Sequence, residues 1–97
     1  MSRRLYRVRA AASVARLIQH LHPQLKRKVR AALEQIAEDP LSGKPLKDQL
    51  AGLWSFRIGK FRVIYRFSAG QPIELVTVGR RSTIYEETYR LIAREDR

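Results

Sequence analysis

Ninety-seven residues, 44% hydrophobic and without cysteine, make one folded domain rather than a disordered basic tail, and they exclude a disulfide framework or a thiolate site. Twenty Lys and Arg against nine Asp and Glu leave a net charge of +11, which directs the chain toward polyanions: nucleic acid, an anionic surface or an acidic protein. No apolar run approaches the roughly 18 residues that span a membrane, so no membrane role and a reducing, cytoplasmic setting are expected.

Residues 5–9 alternate as a first strand. In residues 11–21, Val14, Ala15, Leu17, Ile18 and Leu21 recur at the helical period. His22-Pro23 interrupts that helix, and Pro23 suits the first position of the next one. The second helix is expected to run to about Asp39, with Leu25, Val29, Ala32, Leu33 and Ile36 on one face and Lys26, Arg27, Lys28 and Arg30 largely off it. The two helices form a hairpin. Residues 40–45 (PLSGKP) read as an ordered loop.

Strand signals follow in series. Trp54, Phe56 and Ile58 alternate with Ser55 and Arg57, and Gly59-Lys60 suits a two-residue hairpin turn with glycine first. Phe61, Val63, Tyr65 and Phe67 alternate with Arg62, Ile64, Arg66 and Ser68, and after a loop around Gly70 residues 73–78 form another strand. Residues 86–94 have helical character, with Tyr89, Leu91 and Ile92 as the expected contacts. The order predicts an α+β domain over residues 1–97: a small, mostly antiparallel sheet of about four strands, an N-terminal helical hairpin packed on one face, and a short C-terminal helix.

Period-two geometry decides which arginines cooperate. With the large apolar residues of the 61–68 strand facing the helices, Arg62 and Arg66 point to the other face, as do Ser55 and Arg57 in the strand before. The tight turn brings Arg57 and Arg62 together. Antiparallel sheets commonly carry a solvated polar face on which single arginines do nothing catalytic. Here, however, Lys44, Lys47, Arg57, Lys60, Arg62, Arg66, Arg80 and Arg81 are opposed between Leu41 and Tyr85 only by Asp48 and Glu74, which points to a bound anion. Guanidinium forks bind phosphate oxygens in a bidentate way. Tyr85 follows Gly79-Arg80-Arg81-Ser82-Thr83, where the glycine would allow close approach to a ligand and the arginine pair would stabilise a phenolate. Tyr6, Tyr65 and Tyr89 have no such neighbours.

Other chemistries find little support. His20 and His22 lack further metal-ligating partners, the serines lack a histidine-plus-acid context, and no glycine-rich nucleotide loop occurs, so neither metal nor cofactor is expected.

The pieces GLWSFRIGKFRVIYRF and VTVGRRSTIY, with the first strand and a helical hairpin ending near Asp39-Pro40, resemble the RelE/ParE superfamily of bacterial toxins from toxin–antitoxin pairs. The resemblance implies a basic cleft on a small antiparallel sheet. It also implies a metal-independent endoribonuclease acting on mRNA in the ribosomal A site, in the RelE-like branch, and an acidic, partly disordered antitoxin as partner. Within it the phosphate contacts fall on Arg57, Arg62 and Arg81 and the catalytic tyrosine on Tyr85. The site expected is thus Arg62, Arg81 and Tyr85 as catalytic residues, with Arg57 and the nearby cations Lys60, Arg66, Arg80 and Lys47 binding RNA. RelE has a second basic side chain where this chain has Ser55, for which Lys47 or Lys60 could substitute. The competing expectations are a ParE-like inhibitor of DNA gyrase without nuclease activity, a nonenzymatic nucleic-acid-binding module, and a degenerate toxin retaining only antitoxin binding.

Overall fold

The computed structural model describes residues 5–95, and its elements run as β1 (Val8–Ala10), α1 (Ala12–Gln19), α2 (Pro23–Glu38), β2 (Lys44–Pro45), β3 (Leu53–Ile58), β4 (Phe61–Arg66), β5 (Ile73–Arg80) and α3 (Ile84–Glu95), with 3-10 turns at Pro40–Ser42 and Asp48–Leu50. The five strands form one sheet in the order β1-β5-β4-β3-β2. β1 lies parallel to β5, and the other pairs are antiparallel. One strand more than expected is present, and it comes from the stretch read as a loop. β2 is only two residues long, and its second residue, Pro45, has no N–H to give a ladder. Its pairing therefore reflects tertiary contacts, to which local propensity gives no clue.

α2 starts where Pro23 removes one of the orphan N–H groups and the His22 ring Nδ1 accepts from the Gln24 N–H at 3.2 Å. It ends before Pro40, which disfavours a helical conformation at Asp39. Val29, Ala32 and Ile36 on its inner face pack with Val63 and Tyr65 of β4 and Ile73, Leu75 and Val78 of β5. Val14 and Ile18 of α1 join the same cluster, so the helical hairpin covers one face of the sheet as expected.

The parity of β5 changes midway, because Ile73, Leu75 and Val78 all belong to this core. The register explains it: Ile64 pairs with Thr77 while Tyr65 pairs with Leu75, leaving Val76 as an extra, bulged residue. Val76 joins Leu53, Ile64 and Ile84 in a second small core on the opposite face. There α3 lies over the sheet, with Ile84 and Thr88 buried and Ile92 packed against the cluster. The contacts expected of this helix are thus corrected in part. Ile92 makes one, but Tyr89 and Leu91 are exposed, because the inward positions follow Ile84 at intervals of four.

The hairpin between β3 and β4 turns through Gly59 at φ 57, with Ile58 paired to Phe61. Lys60 is not at positive φ, so a single left-handed residue in the first position makes the II′ geometry that glycine permits. Among the described residues no helix is long and apolar enough to cross a membrane.

Candidate active site

Because α3 covers the middle of its face, the sheet does not offer an open plane of arginines. Instead a cleft forms at the end of the face beside the β3–β4 turn. It is lined by Ser42, Gly43 and Lys44 from the β2 loop, Ser55, Phe56 and Arg57 from β3, Arg62 from β4, and Arg81 and Tyr85 from the segment leading into α3. Its volume of about 650 Å³ lies in the range of pockets that take a small organic ligand.

Each side chain has a local reason for its place. Arg57 and Arg62 are direct partners in the β3–β4 ladder and so share one face. One terminal guanidinium nitrogen of Arg62, Nη1, donates to the carbonyls of Gly59 at 2.9 Å and Phe61 at 2.8 Å. The turn thereby orients the guanidinium. Arg81 follows β5 and is held by its own N–H, which donates to the Lys60 carbonyl at 2.7 Å and extends the ladder to the hairpin tip.

Tyr85 owes its position to the residue before it. Ile84 is fully buried at the start of α3, so Tyr85, the next residue, turns toward the cleft mouth. Its hydroxyl donates to Ser55 Oγ at 3.5 Å, a long contact with a serine that is 5% exposed. Ser55 forms the floor of the site.

Gly79 serves a different purpose from the ligand approach expected of it. A Cβ there would lie 2.8 Å from Ile84 Cδ1 and 3.2 Å from Glu87 Oε2. The missing side chain lets α3 seat closely on β5, and so acts on Tyr85 through the helix that carries it.

The remaining sequence-selected cations lie elsewhere. Lys60 and Arg80 line an adjoining hollow with Gly59 and Ser82, which shares Arg57 and Arg81 with the main cleft. The Arg80 guanidinium sits 5.8 Å from the centroid of the Phe61 ring, within cation–π range. Arg66 is at the far end of β4, where it pairs with Glu74 at 3.2 Å and Glu95 at 3.4 Å and ties the end of α3 to the sheet. Lys47 precedes the Asp48–Leu50 turn and does not line the cleft. Lys44, which received no role from the sequence, does line it. Only its place opposite Ser55 in the ladder singles it out, and that pairing is invisible in the linear pattern.

Tyr65 supports the site from behind. Its ring is fully buried and stacks on Trp54 at 6.3 Å. Its hydroxyl donates to the Pro40 carbonyl at 2.6 Å and accepts from the Gly43 N–H at 3.1 Å. Burial pushes the phenol above its ordinary value of 10.0, with the Gly43 hydrogen bond acting in the opposite sense.

Residues 5–85 match the family described as the ParE toxin of the type II toxin–antitoxin system, parDE. Toxin RelE of Mycobacterium tuberculosis is 36% identical over 82% of this chain and 86% of its own length. Toxin RelG of the same organism is 34% identical over 82% and 95%. In structure the chain is similar to the toxin–antitoxin complex RelBE2 of M. tuberculosis, with a TM-score of 0.70 and 31% identity over 79% of this chain and 99% of that one. A mutant of Escherichia coli toxin RelE in the free state gives 0.75 over 94% and 97% at 13% identity, a likeness of fold alone. The chain belongs to the ParE toxin family, within the RelE/ParE superfamily, and is a RelE-like toxin of a type II toxin–antitoxin system.

Proposed function

We infer that this toxin is an endoribonuclease that cleaves mRNA held on the ribosome. The observation carrying the reading is the single cleft that gathers Arg57, Arg62, Arg81 and Tyr85 around the Ser55 floor. RNA supplies its own nucleophile. The 2′-hydroxyl attacks the adjacent phosphorus, a bond to phosphorus forms, and the bond to the 5′-oxygen breaks, leaving a cyclic phosphate and a 5′-hydroxyl. The protein's task is in-line positioning, removal of the 2′-proton, stabilisation of the developing charge and return of a proton to the leaving oxygen.

In this mechanism Tyr85 is the base, Arg62 clamps the scissile phosphate, and Arg57 makes a second phosphate contact. Arg81 stabilises charge or assists the leaving group. The turn that orients Arg62 supports a pre-set clamp, since its guanidinium is already hydrogen-bonded. Lys60 and Arg80 in the adjoining hollow are suited to the flanking backbone. A tyrosine base is modest equipment, and the ribosome would contribute by arranging the substrate.

The partner in this reading is an antitoxin of acidic character; the RelBE2 structure of M. tuberculosis, to which this chain is similar, is a toxin–antitoxin complex. A net charge of +11 favours such a partner electrostatically. The ParE description of the matched family supports a second reading, inhibition of DNA gyrase without RNA cleavage. Brief induction in a bacterial host separates the two. Primer extension on translated transcripts should reveal new 5′ ends in frame with codons. DNA breaks with trapped gyrase and intact transcripts would instead establish the second reading.

A further inference from the structure

We propose that Lys44 is a phosphate-binding residue of the cleft and that Tyr65 is the positioning residue that holds it there. The proposal rests on the RNA reading above and adds two residues that the arginine pattern does not reach.

The three arginines approach the site from the hairpin side: Arg57 and Arg62 as ladder partners, and Arg81 from the strand tied to the hairpin tip. The Ser55–Tyr85 contact lies toward the other edge, and beyond it β2 is the outermost strand. Lys44 is the ladder partner of Ser55. Directly opposed residues project from the same face with Cβ atoms about 5 Å apart, so the Lys44 stem leaves the sheet beside the Ser55 hydroxyl. Arg57, two residues along β3, stands about 7 Å from Ser55 on that face. A phosphodiester seated over Ser55 is then flanked by an ammonium on one side and by guanidiniums on the other.

A two-residue strand containing proline has little holding power of its own. Tyr65 supplies it from the opposite face. One buried hydroxyl bonds both Pro40 and Gly43, the residue before Lys44. The approach is close enough that a Cβ at position 43 would stand 2.5 Å from the Tyr65 hydroxyl oxygen and 3.0 Å from the Ser55 carbonyl oxygen. Glycine, a bare N–H and a rigid phenol together set the height at which Lys44 leaves the sheet. Tyr65 touches no substrate in this arrangement.

The test uses the full chain and a fluorescent single-stranded 2′-O-methyl oligonucleotide, which binds but has no 2′-hydroxyl to attack. Affinity is read by anisotropy over a series of salt concentrations. Lys44→Ala is expected to weaken binding at low salt and to reduce the log–log salt slope by roughly 0.7, the value for one phosphate on a single strand. Lys44→Arg should keep the slope, and Arg27→Ala on the exposed side of α2 should leave it unchanged. Tyr65→Phe and Gly43→Ala should each reproduce the lower slope at temperatures where circular dichroism reports a folded protein. Adding Lys44→Ala to Tyr65→Phe should remove nothing more.

A Lys44→Ala slope equal to that of the parent protein overturns the proposal, as does failure of the parent to bind the probe. Additive losses for Lys44 and Tyr65 overturn the positioning role. Failure to cleave ribosome-bound mRNA overturns the nuclease reading alone, because the probe reports binding whether or not cleavage occurs.

Discussion

Arg57 and Arg62 stand directly opposite one another across the β3–β4 hairpin, a like-charged pair in a position where cross-strand neighbours are ordinarily complementary. The repulsion is a cost to the free protein and an asset once an anion lies between the two.

Replacing one member should therefore separate stability from binding. Arg57→Thr is the cleaner choice, since Arg62 also bonds the turn carbonyls. The variant is expected to gain about 0.2–1 kcal/mol in thermal or urea unfolding at low salt. The gain should vanish near 1 M salt, where the screening length is about 3 Å. Its affinity for single-stranded RNA should fall. A variant that loses stability at low salt would show that the pair does not repel.

Tyr85→Phe should lower single-turnover cleavage of ribosome-bound mRNA by about 10²–10⁴-fold, the usual range for a general base. Unfolding should be almost unaffected, because the hydroxyl's contact with Ser55 is long and the ring is partly exposed. Unchanged cleavage would make the ring a packing element. In the same assay Arg62→Ala should lose more than Lys28→Ala.

Tyr65→Phe removes a buried donor from the Pro40 carbonyl and an acceptor from the Gly43 N–H, and is expected to cost about 1–3 kcal/mol. Its pH dependence has a defined sign. Burial raises the folded-state value above 10.0, so the unfolded chain releases the proton first as pH rises. The contribution is complete below pH 10 and is lost as pH climbs from there through the folded-state value. Urea midpoints of the parent should thus fall more steeply above pH 10 than those of Tyr65→Phe. Parallel curves would rule out a buried neutral phenol.

Gly79→Ala should destabilise by about 1–3 kcal/mol, because the added methyl meets the buried Ile84 side chain at 2.8 Å. Its activity should drop as well, since α3 cannot lift off β5 without moving Tyr85. Full activity in a destabilised variant would show that the helix start is free to adjust.

Arg66→Ala removes two partly exposed ion pairs and should cost roughly 0.2–1 kcal/mol for each. Hydrogen exchange should accelerate at the end of α3, where Glu95 is released. RNA affinity should fall less than in Arg57→Thr, because Arg66 lies at the other end of β4.

Local chemistry made much of this protein readable in one dimension. The three- and four-residue spacing through Val29, Ala32 and Ile36 specifies α2, because only a helix brings those positions to one side. Alternation through β4 and the Gly59 turn likewise specify the hairpin, and with it the meeting of Arg57 and Arg62. Other features depend on partners far apart in the chain. Val76 bulges where β5 must present Ile73, Leu75 and Val78 to one core, which strict alternation does not permit. Arg66 has the same local pattern as Arg62, yet Glu95 engages it, 29 residues away.

The linear order alone determined the fold class, the helix–helix–hairpin sequence and the excess of positive charge, since each arises from neighbours within a few residues or from a simple sum. Only the folded molecule decided that Lys44 joins Arg57, Arg62 and Arg81 in the cleft while Arg66 and Lys47 do not. That outcome depended on the seating of α3 against Gly79, on Tyr65 reaching Pro40 across 25 residues, and on the β2 rung that sets Lys44 beside Ser55. Contacts of this kind form when separate elements close on a common core, and no short window of residues contains both partners.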